Sequence, residues 1–112
     1  MGKELARGDV PTLILAVLSR GPAHGYAIAR AVERDSDNAL QLREGSLYPA
    51  LRVLEQHELI SSSWEIQASG PARRIYVLTD TGRAELGKRA AEWSTYAAAV
   101  AALLGKRSLS HG

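Results

Sequence analysis

The sequence predicts a mainly α-helical domain with one small β-hairpin. Four segments carry apolar residues at the spacing of three or four that marks an amphipathic helix. Between the third and fourth of these segments, apolar residues alternate with polar ones, as they do in a strand. The chain has 112 residues, which suits a single domain with one core and is too short for two.

The first two helices begin and end at recognisable signals. In DVPTLILAVLSRG, Asp9 is the expected N-cap, a proline occupies the first turn and Gly21 ends the helix. The second helix lies in AHGYAIARAVERDSDN, with Arg30 and Arg34 expected on its outer side. Its inward-facing residues are predicted to be Tyr26, Ile28, Ala29 and Val32.

The third helix is predicted within GSLYPALRVLEQHELI and is expected to begin at Ser46. Serine is a good N-cap residue, and the free amides of a first helical turn suit a phosphate oxygen. Leu47, Leu51 and Leu54 recur every third or fourth residue and predict the buried side of this helix.

Three residues near the front of the third helix do not fit a core-packing role. Pro49 is expected in the first turn, where proline is tolerated because its missing N–H would have no intrahelical partner. Tyr48 and Arg52 are one turn apart and lie off the leucine side, so we expect them to project together away from the core. The front of this helix is therefore predicted to contact an outside partner.

A β-hairpin and a long helix complete the chain. In ISSSWEIQASGPARRIYVLTD, Trp64 and Ile66 alternate with polar neighbours, SGP marks a turn, and RRIYVLT is rich in strand-forming residues. Thr79 is then the expected N-cap of the last helix. The apolar stripe of that helix consists of Leu86, Ala90, Trp93, Ala97, Val100 and Leu104.

The order of these elements is that of a winged helix-turn-helix. This domain is predicted over residues 1–79, a dimerisation helix over 80–106, and a disordered tail over 107–112. In helix-turn-helix proteins the later helix enters the major groove with its N-terminal residues at the base edges, and a wing touches phosphates or the minor groove. The residues predicted to contact DNA are Ser46, Tyr48, Pro49 and Arg52 in the third helix, Arg73 and Arg74 beside the hairpin turn, and His24 near the start of the second helix.

Several of these side chains also have a purely structural interpretation. Tyr48 would cover the edge of the core, His24 would cap the second helix, and the two wing arginines would form a solvated turn. Tyr26 and Tyr76 are assigned to packing.

The charges support nucleic-acid binding by their position more than by their total. The formal net charge is only +2. From position 43 to position 74 every arginine is matched by a glutamate. However, Arg52 lies near the front of the third helix, whereas Glu55 and Glu58 lie towards its rear. Arg73 and Arg74 stand beside the hairpin turn. This segregation of charge favours an acidic partner such as DNA.

Three segments, GPAHGYAIARAVE, GSLYPALRVLEQHELI and GPARRIYVLTDTGRAEL, together resemble the PadR family of bacterial transcriptional regulators. That family combines an HGY-containing second helix, a G-[ST]-LYP-x-L-x-x-LE recognition helix ending in GLI, and a wing of R-[KR]-x-Y-x-LT-x-x-G form. The likeness runs from Gly8 to Leu86, and the single C-terminal helix resembles the compact branch of the family. One departure is Glu58, which replaces the usual glycine. The resemblance implies a homodimeric repressor and, in several members, an aromatic small molecule as inducer.

Composition and motifs argue against other classes. The chain has no cysteine, and His57 and His111 lack partners at metal-ligand spacing, so neither a metal nor a cofactor is expected. It has no Gly-rich phosphate loop, nucleophile elbow or HExxH motif, so an enzyme is not expected. Without a membrane-length apolar run or a signal-peptide h-region, a cytoplasmic location is expected. A winged helix that contacts protein or RNA is the alternative that stays open.

The stripe on the last helix predicts a homodimer. Its spacing is that of a coiled-coil seam, and a monomer would leave much of it in water unless it folded back on its own domain. Two recognition helices related by a two-fold axis would read a pseudo-palindromic operator, with half-sites about one helical turn apart.

Trp93 is the candidate for an effector site. It lies between Ala90 and Ala97, whose small side chains leave room beside the indole for a planar aromatic molecule. The resemblance implies the same role, because multidrug-binding members use a tryptophan on the corresponding helix. The alternative is that Trp93 packs against the partner helix and fills this space itself.

Overall fold

The computed structural model describes residues 3–4 and 9–105, so the tail predicted at 107–112 lies outside the described residues. In chain order the elements are β1 (Lys3–Glu4), α1 (Val10–Leu18), β2 (Ala23–His24), α2 (Gly25–Asp35), β3 (Leu40–Gln41), α3 (Glu44–Gln56), β4 (Ile60–Glu65), β5 (Arg73–Leu78) and α4 (Asp80–Leu103). The predicted fold class, mainly α-helical with a small β-hairpin and a long C-terminal helix, is confirmed.

One hydrophobic core lies between α1, α2, α3 and the hairpin. The leucine side of α3 is buried as predicted, because Leu47, Leu51 and Leu54 are each at most 2% exposed. Tyr76 of β5 is also buried, which confirms its packing role, and this burial raises the pKa of its hydroxyl. The other large side chains of the core are Val10, Ile14, Leu15, Leu18, Ile28, Val32, Leu42, Ile60 and Leu78.

The wing consists of β4 and β5, and the short strand β2 joins it. The strands are antiparallel in the order β2–β5–β4, with Glu65 opposite Arg73 and His24 opposite Ile75. A separate parallel pair joins β1 to β3. The sequence predicts none of these two-residue strands, because two residues are too few to show a periodic pattern.

The start of α3 differs from the prediction. The helix begins at Glu44 with Arg43 as its N-cap, so Ser46 lies inside the first turn and is not the cap. The cause lies in the backbone, since the Ser46 amide already donates to the Arg43 carbonyl at 3.0 Å. Pro49 consequently lies in the second turn, where its missing N–H leaves the carbonyl of exposed Gly45 to water.

Tyr26 was assigned to packing, and this prediction is wrong because the side chain is 67% exposed. Gly25 occupies the inward position of that turn, and a Cβ added there would come within 2.7 Å of Tyr48 Oη. Gly25 is buried and Tyr26 is the next residue along α2, so the glycine lies on the inward side of the helix and the tyrosine faces out. Ile28 and Val32 are buried as predicted.

α3 ends in a Schellman turn that uses a left-handed glutamate. Glu58 has a φ of 61°. Its amide donates to the Glu55 carbonyl at 3.0 Å, and the Leu59 amide donates to the Leu54 carbonyl at 3.0 Å. The departure from the family glycine therefore changes the residue and keeps the turn. A Cβ in this conformation costs about 1–2 kcal/mol.

Thr79 joins the start of α4 to the end of α3. Its Oγ1 accepts from the Gly82 amide at 2.9 Å, which confirms the predicted N-cap, and donates to the Glu58 carbonyl at 2.7 Å. Gly82 is buried directly against the backbone of Leu59. A Cβ added to Gly82 would lie 2.9 Å from the Leu59 carbonyl carbon and closer still to its oxygen.

Beyond this junction, α4 packs on α1 and then leaves the domain. Leu86 packs against the core, and Arg89 Nη1 donates to Thr12 Oγ1 at 3.2 Å. Arg89 Nε also donates to Glu85 at 2.7 Å, and this bond holds the pKa of the Glu85 carboxyl below its usual value. Within the described ranges, no helix has both the length and the apolar character needed to cross a membrane.

Gly82→Ala is expected to lower the free energy of unfolding by about 3 kcal/mol, because the added methyl overlaps the Leu59 backbone and neither helix end can yield cheaply. Chemical denaturation monitored by circular dichroism measures this loss. Gly87→Ala is the matched control, since Gly87 lies in open space on the same helix and its substitution should raise stability by about 0.5–1 kcal/mol. Equal effects from the two variants would contradict the close approach.

Glu58→Gly is expected to raise the free energy of unfolding by about 0.5–1 kcal/mol. Glycine relieves the left-handed Cβ, and its greater freedom in the unfolded chain offsets part of that gain. The same denaturation experiment applies. Ala27→Gly, at an exposed position within α2, should instead lose about 1 kcal/mol. A loss at both positions would show that the turn does not strain Glu58.

Candidate nucleic-acid interface

The outward side of α3 presents a mixed polar and apolar surface. Pro49, Arg52, Val53 and Gln56 are exposed opposite the leucines, and Tyr48 lies at their flank with 42% of its surface exposed. Sequence reasoning missed Val53 and Gln56. The signal was present, because each follows Pro49 or Arg52 by four residues and so shares its side of the helix.

Tyr48 connects the front of α3 to the start of α2. It lies against Gly25, so it covers the edge of the core and still keeps a large exposed area. Arg43 and Arg52 lie on either side of it along the chain. Among the described residues neither arginine has a carboxylate partner within 4.0 Å. In the described part of the chain, no ion pair therefore occupies either guanidinium at this end of α3.

Arg74 ties the wing to α3. Its Nε donates to Ser62 Oγ at 2.9 Å, and the Ser62 hydroxyl donates to Glu55 Oε2 at 2.6 Å. Arg74 Nη2 also lies 3.5 Å from the same Glu55 oxygen, and its guanidinium carbon is 5.3 Å from the ring centroid of Trp64. This network joins Glu55 of α3 to three residues of the wing, namely Ser62, Trp64 and Arg74.

His24 and Arg73 share one carboxylate. Glu65 Oε1 lies 2.8 Å from His24 Nε2 and 3.7 Å from Arg73 Nη2. His24 is the N-cap residue of α2, but its side chain makes no capping hydrogen bond and bonds Glu65 instead. Exposed ion pairs contribute about 0–1 kcal/mol. Either residue can therefore exchange Glu65 for a phosphate oxygen at small cost.

The α4 stripe lies mostly beyond the domain. Leu86 packs on the core, but Trp93 is 64% and Leu104 is 66% exposed in the single chain. Ala90 is exposed, and Ala97 and Val100 are half-buried. Sequence reasoning missed Tyr96, which is 62% exposed with its ring centroid 5.8 Å from that of Trp93. The rings of Trp93 and Tyr96 together form the aromatic face of α4.

Three helices surround one core, the wing is bonded to α3, and the front of α3 is exposed. These features define a winged-helix transcriptional regulator. The sequence profile described as "Transcriptional regulator PadR-like family" matches residues 14–88. The chain belongs to this family, whose members are transcriptional regulators and not enzymes.

Known relatives agree with this assignment. A PadR family transcription regulator from Clostridium difficile is 32% identical with a TM-score of 0.77, over 87% of this chain and 99% of that one. A PadR family regulator from Eggerthella lenta is also 32% identical with a TM-score of 0.76, over 90% of this chain and 86% of that one. The negative transcriptional regulator PadR of Bacillus subtilis is 29% identical over 73 residues, which is 65% of this chain and 40% of that protein. The chain thus spans less than half the length of the Bacillus relative.

Proposed function

We propose that the chain acts in the cytoplasm as a homodimeric DNA-binding repressor that a planar aromatic effector releases from its operator. The front of α3 is the observation that supports DNA binding most directly. Arg43, Tyr48 and Arg52 are exposed there, and both arginines lack a carboxylate partner among the described residues. A recognition helix with exposed cations and a hydroxyl suits the phosphates and base edges of a major groove.

Each predicted contact then has a chemical role. Arg52 donates to the O6 and N7 acceptors of a guanine, and Tyr48 donates to a phosphate or a base edge. Ser46 supplies a hydroxyl in the first turn, and Pro49 presents an apolar surface beside it. These four residues form the reading surface of α3.

The wing supplies contacts to the DNA backbone. Arg73 and His24 exchange Glu65 for phosphate oxygens. Arg74 keeps its bond to Ser62 and directs its remaining donors to the same DNA strand. It therefore both positions the wing and contributes positive charge.

Tyr48→Ala or Arg52→Ala is expected to weaken operator binding about ten-fold or more, and to weaken non-specific binding less, because a good base contact discriminates by about 1–3 kcal/mol. Replacing Arg73 and Arg74 with glutamine should weaken both, and each lost phosphate contact should make the negative slope of log K against log salt shallower by about 0.9. Fluorescence anisotropy over a KCl series measures both quantities, with an operator selected from genomic fragments and a scrambled duplex.

Arg83→Gln is the control for charge alone, because Arg83 is exposed near the start of α4, away from the reading surface. If the α3 and wing variants bind the operator like wild type, the interface lies elsewhere. Salt-insensitive binding to protein, or binding to RNA in preference to duplex DNA, would support the alternative function.

The exposed α4 stripe supports the homodimer. Large apolar residues recur on one face of a helix that extends beyond its own domain. A second copy that packs on this face through a two-fold axis would bury the stripe and place two α3 helices on one side of the duplex. The pseudo-palindromic operator follows from that symmetry.

Ala97→Glu is expected to convert the dimer to a monomer, because it places a charge in the middle of the seam. Ala99→Glu, two residues away and outside the stripe, should leave the dimer intact. Sedimentation velocity of the full chain separates the two species. Wild-type protein that sediments as a monomer at micromolar concentration would exclude the dimer.

The aromatic face of α4 supports an effector site. Trp93 and Tyr96 are both exposed, and a planar ligand between the two copies of Trp93 would stack on the indoles. Such a ligand releases DNA only if it favours one separation of the two α3 helices over another. The relative from Bacillus subtilis is named a negative regulator, which is consistent with repression.

Trp93→Ala is expected to abolish the quenching of tryptophan fluorescence by planar aromatic compounds, because the stacking partner is lost. Trp64 on the wing is the internal control, since it is the other tryptophan of the chain. Undiminished quenching in the variant would remove Trp93 as the sensor. A compound that quenches Trp93 and leaves operator affinity unchanged would show binding without release.

A further inference from the structure

Tyr26 and Arg30 form a pair on the outward side of α2. They are one helical turn apart, and Tyr26 is one of the most exposed aromatic side chains among the described residues. Arg30 Nη1 donates to Tyr26 Oη at 3.1 Å. The guanidinium carbon of Arg30 also lies 5.8 Å from the centroid of the Tyr26 ring. The two side chains therefore hold each other in place at the surface.

This geometry leaves two kinds of donor directed away from the protein. Because the Tyr26 oxygen accepts from Arg30, its own O–H proton remains available to an external acceptor, and the guanidinium keeps further N–H donors. Within the described part of the chain Arg30 has no carboxylate within 4.0 Å, whereas Arg34, one turn further along, is paired with Asp35 at 3.0 Å. The pair thus presents one uncompensated positive charge with donors suited to an anionic oxygen.

The start of α2 contacts the reading surface of α3, and Tyr26 is the residue that follows this contact. Tyr26 directly follows Gly25, which lies against Tyr48, so the contact between α2 and the front of α3 adjoins it. In helix-turn-helix proteins the first helix of the pair crosses the DNA backbone while the second lies in the groove. An anion positioned at this corner would therefore be a phosphate of the strand that borders the groove.

We propose that Tyr26 and Arg30 together clamp one backbone phosphate next to the groove that α3 occupies. This inference rests on the proposed DNA binding. The clamp adds affinity for any sequence, because a phosphate contact carries no base identity. The clamp also explains why a tyrosine stands at this position, although its ring does not pack against the core.

Two substitutions separate the charge from the hydroxyl. Arg30→Gln should make the negative slope of log K against log salt shallower by about 0.9 per subunit and weaken operator and scrambled duplex by the same factor. Tyr26→Phe should weaken both duplexes by about three- to ten-fold with the slope unchanged, because it removes a donor and no charge. Arg34→Gln is the control on the same helix and should leave the slope near that of wild type.

A duplex with single neutral methylphosphonates identifies the clamped phosphate. At one position the substitution should weaken the wild-type protein and have a clearly smaller effect on Arg30→Gln, since one of the two partners of that phosphate is already absent. Circular dichroism confirms that each variant folds. An unchanged salt slope in Arg30→Gln, or a methylphosphonate effect as large in the variant as in wild type at every position, would overturn the clamp alone. Wild-type protein that binds no duplex would overturn the proposed function with it.

Discussion

The backbone of α4 touches the backbone that follows α3 at Gly82, and the relative placement of the two helices depends on this contact. No side chain fits between Gly82 and Leu59, so the start of α4 cannot slide along the end of α3. Thr79 completes the junction with one hydroxyl that bonds both sides of it. Glu58 accepts the left-handed conformation that the turn needs. The junction therefore joins a helix that leaves the domain to the helix that presents the reading surface.

A second connection fixes the wing to the same helix. Glu55, in the last turn of α3, is bonded to Ser62 of β4 and lies within ion-pair distance of Arg74 of β5. α3, the wing and the start of α4 are thus connected by direct contacts between neighbouring elements. In a dimer formed through α4, a change in the crossing of the two helices would move both reading surfaces. A ligand bound at the aromatic face of α4 would have to act on DNA binding through such a change in helix crossing.

Sequence patterns predict most of the helices and the hairpin. Apolar spacing predicts the buried leucines of α3 and the long last helix. Turn residues and strand-forming residues predict the hairpin, and cap chemistry predicts that Thr79 begins α4. The misses have physical causes. α3 begins before Ser46 because backbone hydrogen bonds extend it, and Tyr26 faces out because Gly25 fills the inward position. The partners of the wing arginines depend on cross-strand register and on the angle of α3, which a single sequence does not display. For the same reason the family pattern indicates candidate site residues without showing which contacts hold them.

Hydrogen–deuterium exchange of the full-length protein, with and without a selected duplex, tests the central claim most directly. The account predicts that duplex slows exchange of the amides in the first three turns of α3, over residues 44–53, and at the wing around 65–73, because these backbones face the DNA. Exchange in α1 should change little, because its amides are already protected within the core. Protection confined to α1 or to the second half of α4, with the front of α3 unchanged in a bound complex, would contradict the claim that α3 reads the operator.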